Sequence, residues 1–145
     1  MTDENNRDVL ERIANALERL APPAANPVDL SSGDAFLWDG RTPKRIAPFQ
    51  PTDIDLLTGI DPQKTRLLDN TSRHAQGHAA HDVLLWGSRG MGKSALAKSV
   101  VRALQAQGKD IALIEAPSDH LETLPTLFEL LASTKRSFII FIDDI

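Results

Sequence analysis

Residues 87–94 form a complete Walker A motif, G-x-x-x-x-G-K-[ST], whose residue types suit phosphate and metal chemistry. Its glycines permit backbone conformations that turn consecutive N–H groups toward phosphate oxygens. Lys93 carries a compact positive charge for the β- and γ-phosphates, and the Ser94 hydroxyl can ligate Mg²⁺. The motif therefore predicts a nucleotide triphosphate site lined by Gly87, Ser88, Arg89, Gly90, Met91, Gly92, Lys93 and Ser94.

A second element, near the last residue of the sequence, has the form of a Walker B motif. The apolar run 138–142 is followed by Asp143 and Asp144. Because ligands of open α/β sheets bind beyond the carboxyl ends of the strands, Asp143 is expected to hold Mg²⁺ opposite Ser94. Asp144 either positions the attacking water, which is the role that we favour, or contacts the ligands of the metal ion rather than the ion itself. Its side chain is one methylene shorter than the glutamate that many P-loop ATPases carry there.

The elements that position these motifs follow from the apolar pattern. Continuous apolar runs predict three buried strands, at 83–86, 111–114 and 138–142. Capping and turn residues predict three helices, at 61–77, 93–107 and 121–132. The order of strand, glycine-rich loop and helix is the context that a P-loop requires. We therefore predict an α/β fold, a P-loop NTPase-like parallel sheet with helices on both faces.

Two segments precede this domain. Residues 4–20 predict a free-standing amphipathic helix, because apolar residues recur at spacings of three and four at Leu10, Ile13, Leu17 and Leu20. Such a helix serves self-association or partner docking, or it packs on its own domain or is partly frayed. We favour the latter pair of alternatives, because two heptads fall short of the three or four that a coiled coil needs. A connector with six of the nine prolines follows, and its apolar island Ala35–Trp38 is expected to dock on the domain rather than on another chain. The predicted organisation is a helix at 1–21, a proline-rich connector at 22–51 and a P-loop domain at 52–145.

Composition narrows the class of protein. The net charge of −4 does not indicate a nucleic-acid binder, which would usually present a basic stripe. The sequence contains no cysteine, which excludes disulfides and cysteine-based zinc sites. No window approaches the roughly 20 apolar residues that a membrane-spanning helix needs, and the first residues do not form a signal peptide. A cytoplasmic location without membrane attachment is expected.

Three stretches together resemble a known family. They are the run 53–71, the extended P-loop Leu84-Leu85-Trp86-Gly87-Ser88-Arg89-Gly90-Met91-Gly92-Lys93-Ser94, and the run 138–144. Over about 50–145 the chain looks like the bacterial AAA+-type ATPases grouped as domain of unknown function 815. The resemblance implies binding of ATP with Mg²⁺ and ATP hydrolysis. It also implies that Leu57, Gly59 and Ile60 lie near the adenine, although an ordinary turn before the Asp61 helix is the alternative for each of them.

The resemblance also implies elements that would follow Ile145: a sensor-1 strand, a last core strand, an arginine finger and a helical lid. We therefore expect these 145 residues to be the N-terminal portion of a longer protein or a truncated gene product. Three parallel strands would leave an apolar sheet edge unpaired. Alone, the fragment is expected to be poorly stable and to hydrolyse little ATP.

Three functions remain open at this point. The leading one is an AAA+-like ATPase whose nucleotide state drives a conformational change, with self-association or a protein partner engaged through the N-terminal helix. The second is a nucleotide-sensing binding module with little turnover, which the short Asp144 favours. The third is a P-loop kinase. A GTPase fits less well, because residues 143–145 do not begin a D-x-x-G element.

Overall fold

In the described part of the chain a pair of strands and then a pair of helices precede the last two strands, which are separated by one more helix. The structure is a computed structural model that describes residues 2–20 and 28–143. The strands found there are β1 (Ala35–Trp38), β2 (Pro43–Ile46), β3 (Ile111–Pro117) and β4 (Ser137–Asp143). The α-helices found there are α1 (Thr2–Leu20), α2 (Asp61–Ala75), α3 (Lys93–Ala106) and α4 (Leu124–Ala132). Short 3₁₀ helices lie at Ile54–Leu56 and Ser118–Thr123.

The strands of the described residues form one mixed sheet in the order β2-β1-β3-β4. Strands β1, β3 and β4 run parallel, whereas β2 is antiparallel to β1, so the expectation of an all-parallel sheet is corrected. The reason is a tight turn at residues 39–42. The Asp39 carboxylate accepts hydrogen bonds from the backbone N–H groups of Arg41 and Thr42, at 3.0 and 2.8 Å. A turn this short reverses the chain, and only antiparallel strands can be joined in this way.

Strand β1 belongs to the interior of the sheet, although the sequence interpretation assigned it to the proline-rich connector. Ala35, Phe36 and Trp38 are fully buried, and Ala35 pairs with Leu113 of β3. The apolar island therefore does not dock on the outside of a finished domain. It supplies a strand that the sheet needs. A four-residue strand is too short to reveal its period in the sequence, and its partner lies far along the chain.

The predicted strand at 83–86 is absent from the structure: no ladder pairing includes these residues. Leu84 and Trp86 are 76% and 86% exposed. Apolar character alone does not make a strand, because a strand also needs a sheet edge that pairs with its backbone, and the sheet order β2-β1-β3-β4 does not include this run.

Side chains alternate between the two faces of the sheet. On one face Ile111 and Leu113 of β3 contact buried residues of α3, and partly buried residues of α2 pack around them. On the other face Ala112 and Ile114 of β3 contact Leu127 of α4. The prediction of helices on both faces is confirmed. Buried central strands with period-two alternation and helices on each side define an α/β fold.

Helix α1 ends at the residue expected from its apolar spacing and begins two residues earlier, and the side chains described for it do not bury an apolar side on the rest of the described chain. Every side chain described for it, at residues 6–17 and 19, is exposed. For the described residues, packing of this helix on its own domain, one of the two alternatives that we favoured, is therefore wrong. In the part of the chain that the structure covers, no helix is both long enough and apolar enough to cross a membrane.

Candidate functional site

The Walker A segment leads directly into helix α3. Gly90 and Gly92 have φ angles of 79° and 78°, in the left-handed region that residues with a Cβ rarely adopt. Gly92 is the N-cap residue, and the helix begins at Lys93. The N-terminal end of a helix presents free N–H groups and a partial positive charge. The sequence-predicted phosphate loop is thus followed by a helix start that favours anions.

The amine of Lys93 is held over this loop. Its Nζ donates to the carbonyl oxygen of Gly87 at 2.8 Å and to that of Ser88 at 3.1 Å. Both acceptors are uncharged, so the lysine charge is not neutralised by these contacts. A negatively charged ligand in the loop would compete for the amine with the advantage of a charge-assisted hydrogen bond.

The two residues predicted to hold a metal ion lie in direct contact. Ser94, in the first turn of α3, donates through Oγ to Asp143 Oδ2 at 2.8 Å. Asp143 is the last residue of β4, at the carboxyl edge of the sheet. Strand β4 is the partner of β3 in parallel register, with Asp143 opposite Pro117. The fold therefore brings the second half of the predicted site to the first.

The side chains of three other loop residues are exposed to solvent. Ser88 and Arg89 are exposed, and Met91 is 65% exposed. A backbone hydrogen bond from Met91 N to Ser88 O, at 3.4 Å, closes the turn between them.

The segment predicted to approach adenine packs on α3. Leu57 and Ile60 are half-buried and contact the cluster that includes Leu96 and Val100, whereas Gly59 is exposed. Buried Ser99 fixes this segment, since its Oγ donates to the carbonyl oxygen of Thr52. The structure thus places the segment beside the helix that follows the loop. A role for Leu57, Gly59 and Ile60 at adenine stays a prediction.

One predicted catalytic residue, Asp144, lies outside the described residues. Among the residues that are described, no group of three or more His, Cys, Asp or Glu side chains could hold a metal ion. The metal candidates are therefore the pair Ser94 and Asp143. Such a pair leaves most positions of an octahedral Mg²⁺ shell to phosphate and water oxygens, which is how Mg²⁺ is commonly held beside nucleotides.

Two contacts that position the site were not found from the sequence. Lys98 Nζ forms an ion pair with Glu115 Oε1 at 2.8 Å, which ties α3 to the end of β3. His74 Nε2 lies 3.0 Å from the carbonyl oxygen of Phe138, which ties α2 to the beginning of β4. For the ion pair, the sequence offered only the single charge of Glu115 at the end of the apolar run 111–114. For the contact of His74 it offered nothing, because every residue has a backbone carbonyl and the sequence does not distinguish one from another.

The fold and the site define an α/β protein with a glycine-rich loop at a helix start and an acidic residue at the end of a neighbouring strand. Residues 31–145 match the family described as "Protein of unknown function (DUF815)". Because the match covers more than half of the chain, the protein belongs to this family. No curated protein and no solved structure matches the chain.

Proposed function

We propose that the chain is the nucleotide-binding part of an AAA+-like P-loop ATPase that binds ATP with Mg²⁺ and hydrolyses it. The observation that carries the proposal is the 2.8 Å hydrogen bond between Ser94 Oγ and Asp143 Oδ2. Two residues that the Walker patterns assign to one metal ion are far apart in sequence and adjacent in space. A chance match to the Walker A pattern gives no reason for this contact.

Each residue then has a defined task. The loop N–H groups and the start of α3 bind the phosphates, and Lys93 exchanges the carbonyl oxygens of Gly87 and Ser88 for phosphate oxygens. Ser94 and Asp143 would hold Mg²⁺, which offsets the charge that builds on the phosphates. Asp144 would orient the attacking water. Leu57, Gly59 and Ile60 would contact the base.

The second candidate is a nucleotide-sensing module that binds ATP with little turnover. The observation that favours it is Asp144, whose carboxylate reaches less far than a glutamate at the same position. A kinase is a third and less favoured function. It requires an acceptor substrate, so phosphate release in the absence of any acceptor argues against it.

Binding is tested by calorimetric titration of ATP in the presence of Mg²⁺, with Lys93→Ala and a control variant, Lys109→Ala. Lys109 lies just beyond the other end of α3. We expect the wild-type chain and Lys109→Ala to bind ATP equally and Lys93→Ala to lose at least about tenfold in affinity, the size of one charge-assisted hydrogen bond. If the folded wild-type chain does not bind ATP, or if Lys93→Ala binds it normally, the proposal is wrong.

Turnover is tested separately, by phosphate release with Lys93→Ala as the background. Release above this background supports the ATPase. Tight binding without release supports the sensing module.

A further inference from the structure

The segment that leads into the Walker A loop is not held by the sheet. Residues 82–86 take part in no ladder of the described strands, and Leu84 and Trp86 are 76% and 86% exposed. Leu85 is half-buried on the cluster around α3. On the other side of the loop, helix α3 begins at Lys93 and buries one face in the core. The entrance of the loop therefore depends on contacts other than strand pairing.

A side chain of α2 holds the residue that precedes this segment. Asn70 Nδ2 donates to the carbonyl oxygen of His81 at 2.8 Å, and Asn70 Oδ1 accepts from the backbone N–H of His81 at 2.9 Å. The side-chain amide thus pairs with both backbone groups of one residue, as a partner residue does in a hydrogen-bonded pair of antiparallel strands. Two parallel contacts fix the orientation of the His81 backbone as well as its position.

Helix α2 is itself fixed to both halves of the candidate site. Its partly buried leucines pack against the cluster that includes Leu96 of α3. His74 Nε2 lies 3.0 Å from the carbonyl oxygen of Phe138, near the beginning of β4. Asn70 and His74 are about one helical turn apart, so adjacent turns of α2 contact the loop entrance and the strand that ends at Asp143. Asn70 is therefore a tether on a firm support.

We propose that Asn70 is a positioning residue for nucleotide binding, which holds the entrance of the Walker A loop through His81. The segment that it holds ends at Gly87, whose carbonyl oxygen accepts from Lys93 Nζ at 2.8 Å. A loop whose entrance is already ordered loses less conformational entropy when a ligand binds. Asn70 acts through the backbone and does not touch the ligand. The consequence for ATP rests on the proposed function, whereas the tether itself does not.

The first test needs no nucleotide and measures amide hydrogen exchange by NMR. Exchange at His81 should be several-fold faster in Asn70→Ala than in the wild type, because its N–H loses the acceptor. Asn70→Asp keeps an acceptor for this N–H and loses the donor to the carbonyl oxygen, so its exchange at His81 should be intermediate. If Asn70→Ala exchanges like the wild type, or if Asn70→Asp is no slower than Asn70→Ala, the tether does not exist and the proposal is overturned.

The second test measures ATP binding by calorimetry in the presence of Mg²⁺. Asn70→Ala should bind ATP about three- to tenfold more weakly than the wild type, the size of one or two lost hydrogen bonds. Its melting temperature should stay within about 3 °C, because the contact is exposed. The matched control is Gln76→Ala, which removes an amide that donates to Ser72 Oγ of the same helix at 3.3 Å. This control should bind ATP like the wild type.

The outcomes separate this inference from the proposed function. If the wild-type chain binds ATP and Asn70→Ala binds it equally well, or if Gln76→Ala is weakened as much, the positioning role alone is wrong. A loss of affinity that comes with a large fall in melting temperature would also overturn it, because Asn70 would then act through the stability of the whole fold. If the wild-type chain binds no ATP, the proposed function and the positioning role both fail, even where exchange at His81 confirms the tether.

Discussion

Ser94 Oγ and Asp143 Oδ2 share a 2.8 Å hydrogen bond across 49 positions of sequence. The contact joins the first turn of α3 to the last residue of β4. Neither the helix nor the strand could supply both groups, because each element presents only one of them at the carboxyl edge of the sheet. The pair is therefore a property of the fold, and it allows the metal-dependent part of nucleotide binding to be tested separately.

Replacing Ser94 by Ala is expected to weaken ATP binding about tenfold when Mg²⁺ is present and to leave binding unchanged in EDTA. The hydroxyl would contribute to affinity only through the metal ion. Calorimetry under both conditions measures the difference, with Ser118→Ala, an exposed serine on another element, as the control. An equal loss with and without Mg²⁺ would instead assign Ser94 a role in the folding of the loop.

Thr123 provides the acceptor for a buried indole. Trp38 is fully buried, and its Nε1–H donates to Thr123 Oγ1 at 2.7 Å. Thr123→Val removes the acceptor and should lower the free energy of unfolding by about 1–3 kcal/mol, the cost of an unsatisfied buried donor. Thr123→Ser keeps the hydroxyl and should cost clearly less. Urea unfolding followed by circular dichroism gives both values, and a loss in Thr123→Ser as large as that in Thr123→Val would contradict the special role of the hydrogen bond, because the methyl group would then matter as much.

Arg136 connects three parts of the sheet. Its guanidinium donates to the carbonyl oxygens of Gly33 and Ile111, at 2.6 and 3.3 Å, and its Nε lies 2.7 Å from Asp110 Oδ1. Lysine cannot reproduce these contacts with one amine, so Arg136→Lys should destabilise the fold by about 2 kcal/mol.

The control for Arg136→Lys is Arg102→Lys. Arg102 forms a 3.6 Å ion pair with Asp34, and both side chains are about half exposed. This substitution should stay within about 0.5 kcal/mol, as is usual at the surface. Thermal or urea unfolding gives the free energy of unfolding of both variants. If the two variants lose similar amounts, the contacts of Arg136 contribute little to the stability of the fold.

The turn at Asp39 should make stability depend on pH. The backbone N–H of Thr42, the Lys44 amine and the backbone N–H of Arg41 hold the pKa of Asp39 well below its ordinary value. A carboxyl group with a lowered folded-state pKa stabilises the fold above its unfolded pKa, and this contribution is lost as the pH falls toward the folded value.

Asp39→Asn tests this dependence through the melting temperature as a function of pH. The variant should melt below the wild type at pH 5–7, and the gap should narrow below about pH 4, near the unfolded pKa. A gap that does not change with pH would show that the turn depends on geometry rather than on charge.

Much of the fold could be predicted from local patterns. Pro62 and Gly108 mark the beginning of α2 and the end of α3, because their preferred backbone conformations are local properties. The apolar runs of β3 and β4 likewise predicted buried strands. What failed was the assignment of one apolar run to a strand and of the other to the connector. The run Val83–Trp86 and the strand Ala35–Trp38 are both short and apolar, and nothing within either of them states which one pairs with β3.

The candidate site likewise has features that a local sequence pattern predicts and contacts that only the folded chain brings about. The glycine-rich loop and Lys93 could be read from sequence, because a motif records residues that are neighbours along the chain. The adjacency of Ser94 and Asp143 could only be expected by assuming a sheet. The ties that position it, Lys98 with Glu115 and His74 with the Phe138 carbonyl, depend on how α3 and α2 pack and were beyond sequence patterns.

The position of β1 between β2 and β3 also constrains how the protein can be made. The hairpin of β1 and β2 leaves the ribosome early, but its parallel neighbour β3 is synthesised only after α2 and α3. Pairings between such distant segments form slowly, because a long loop must first be closed. During that interval one edge of β1 stays open, while Lys44 and Arg45, exposed on β2, place charge along the other edge of the hairpin. The hairpin of β1 and β2 in the nascent chain must therefore not pair with strands of other molecules before β3 has been synthesised.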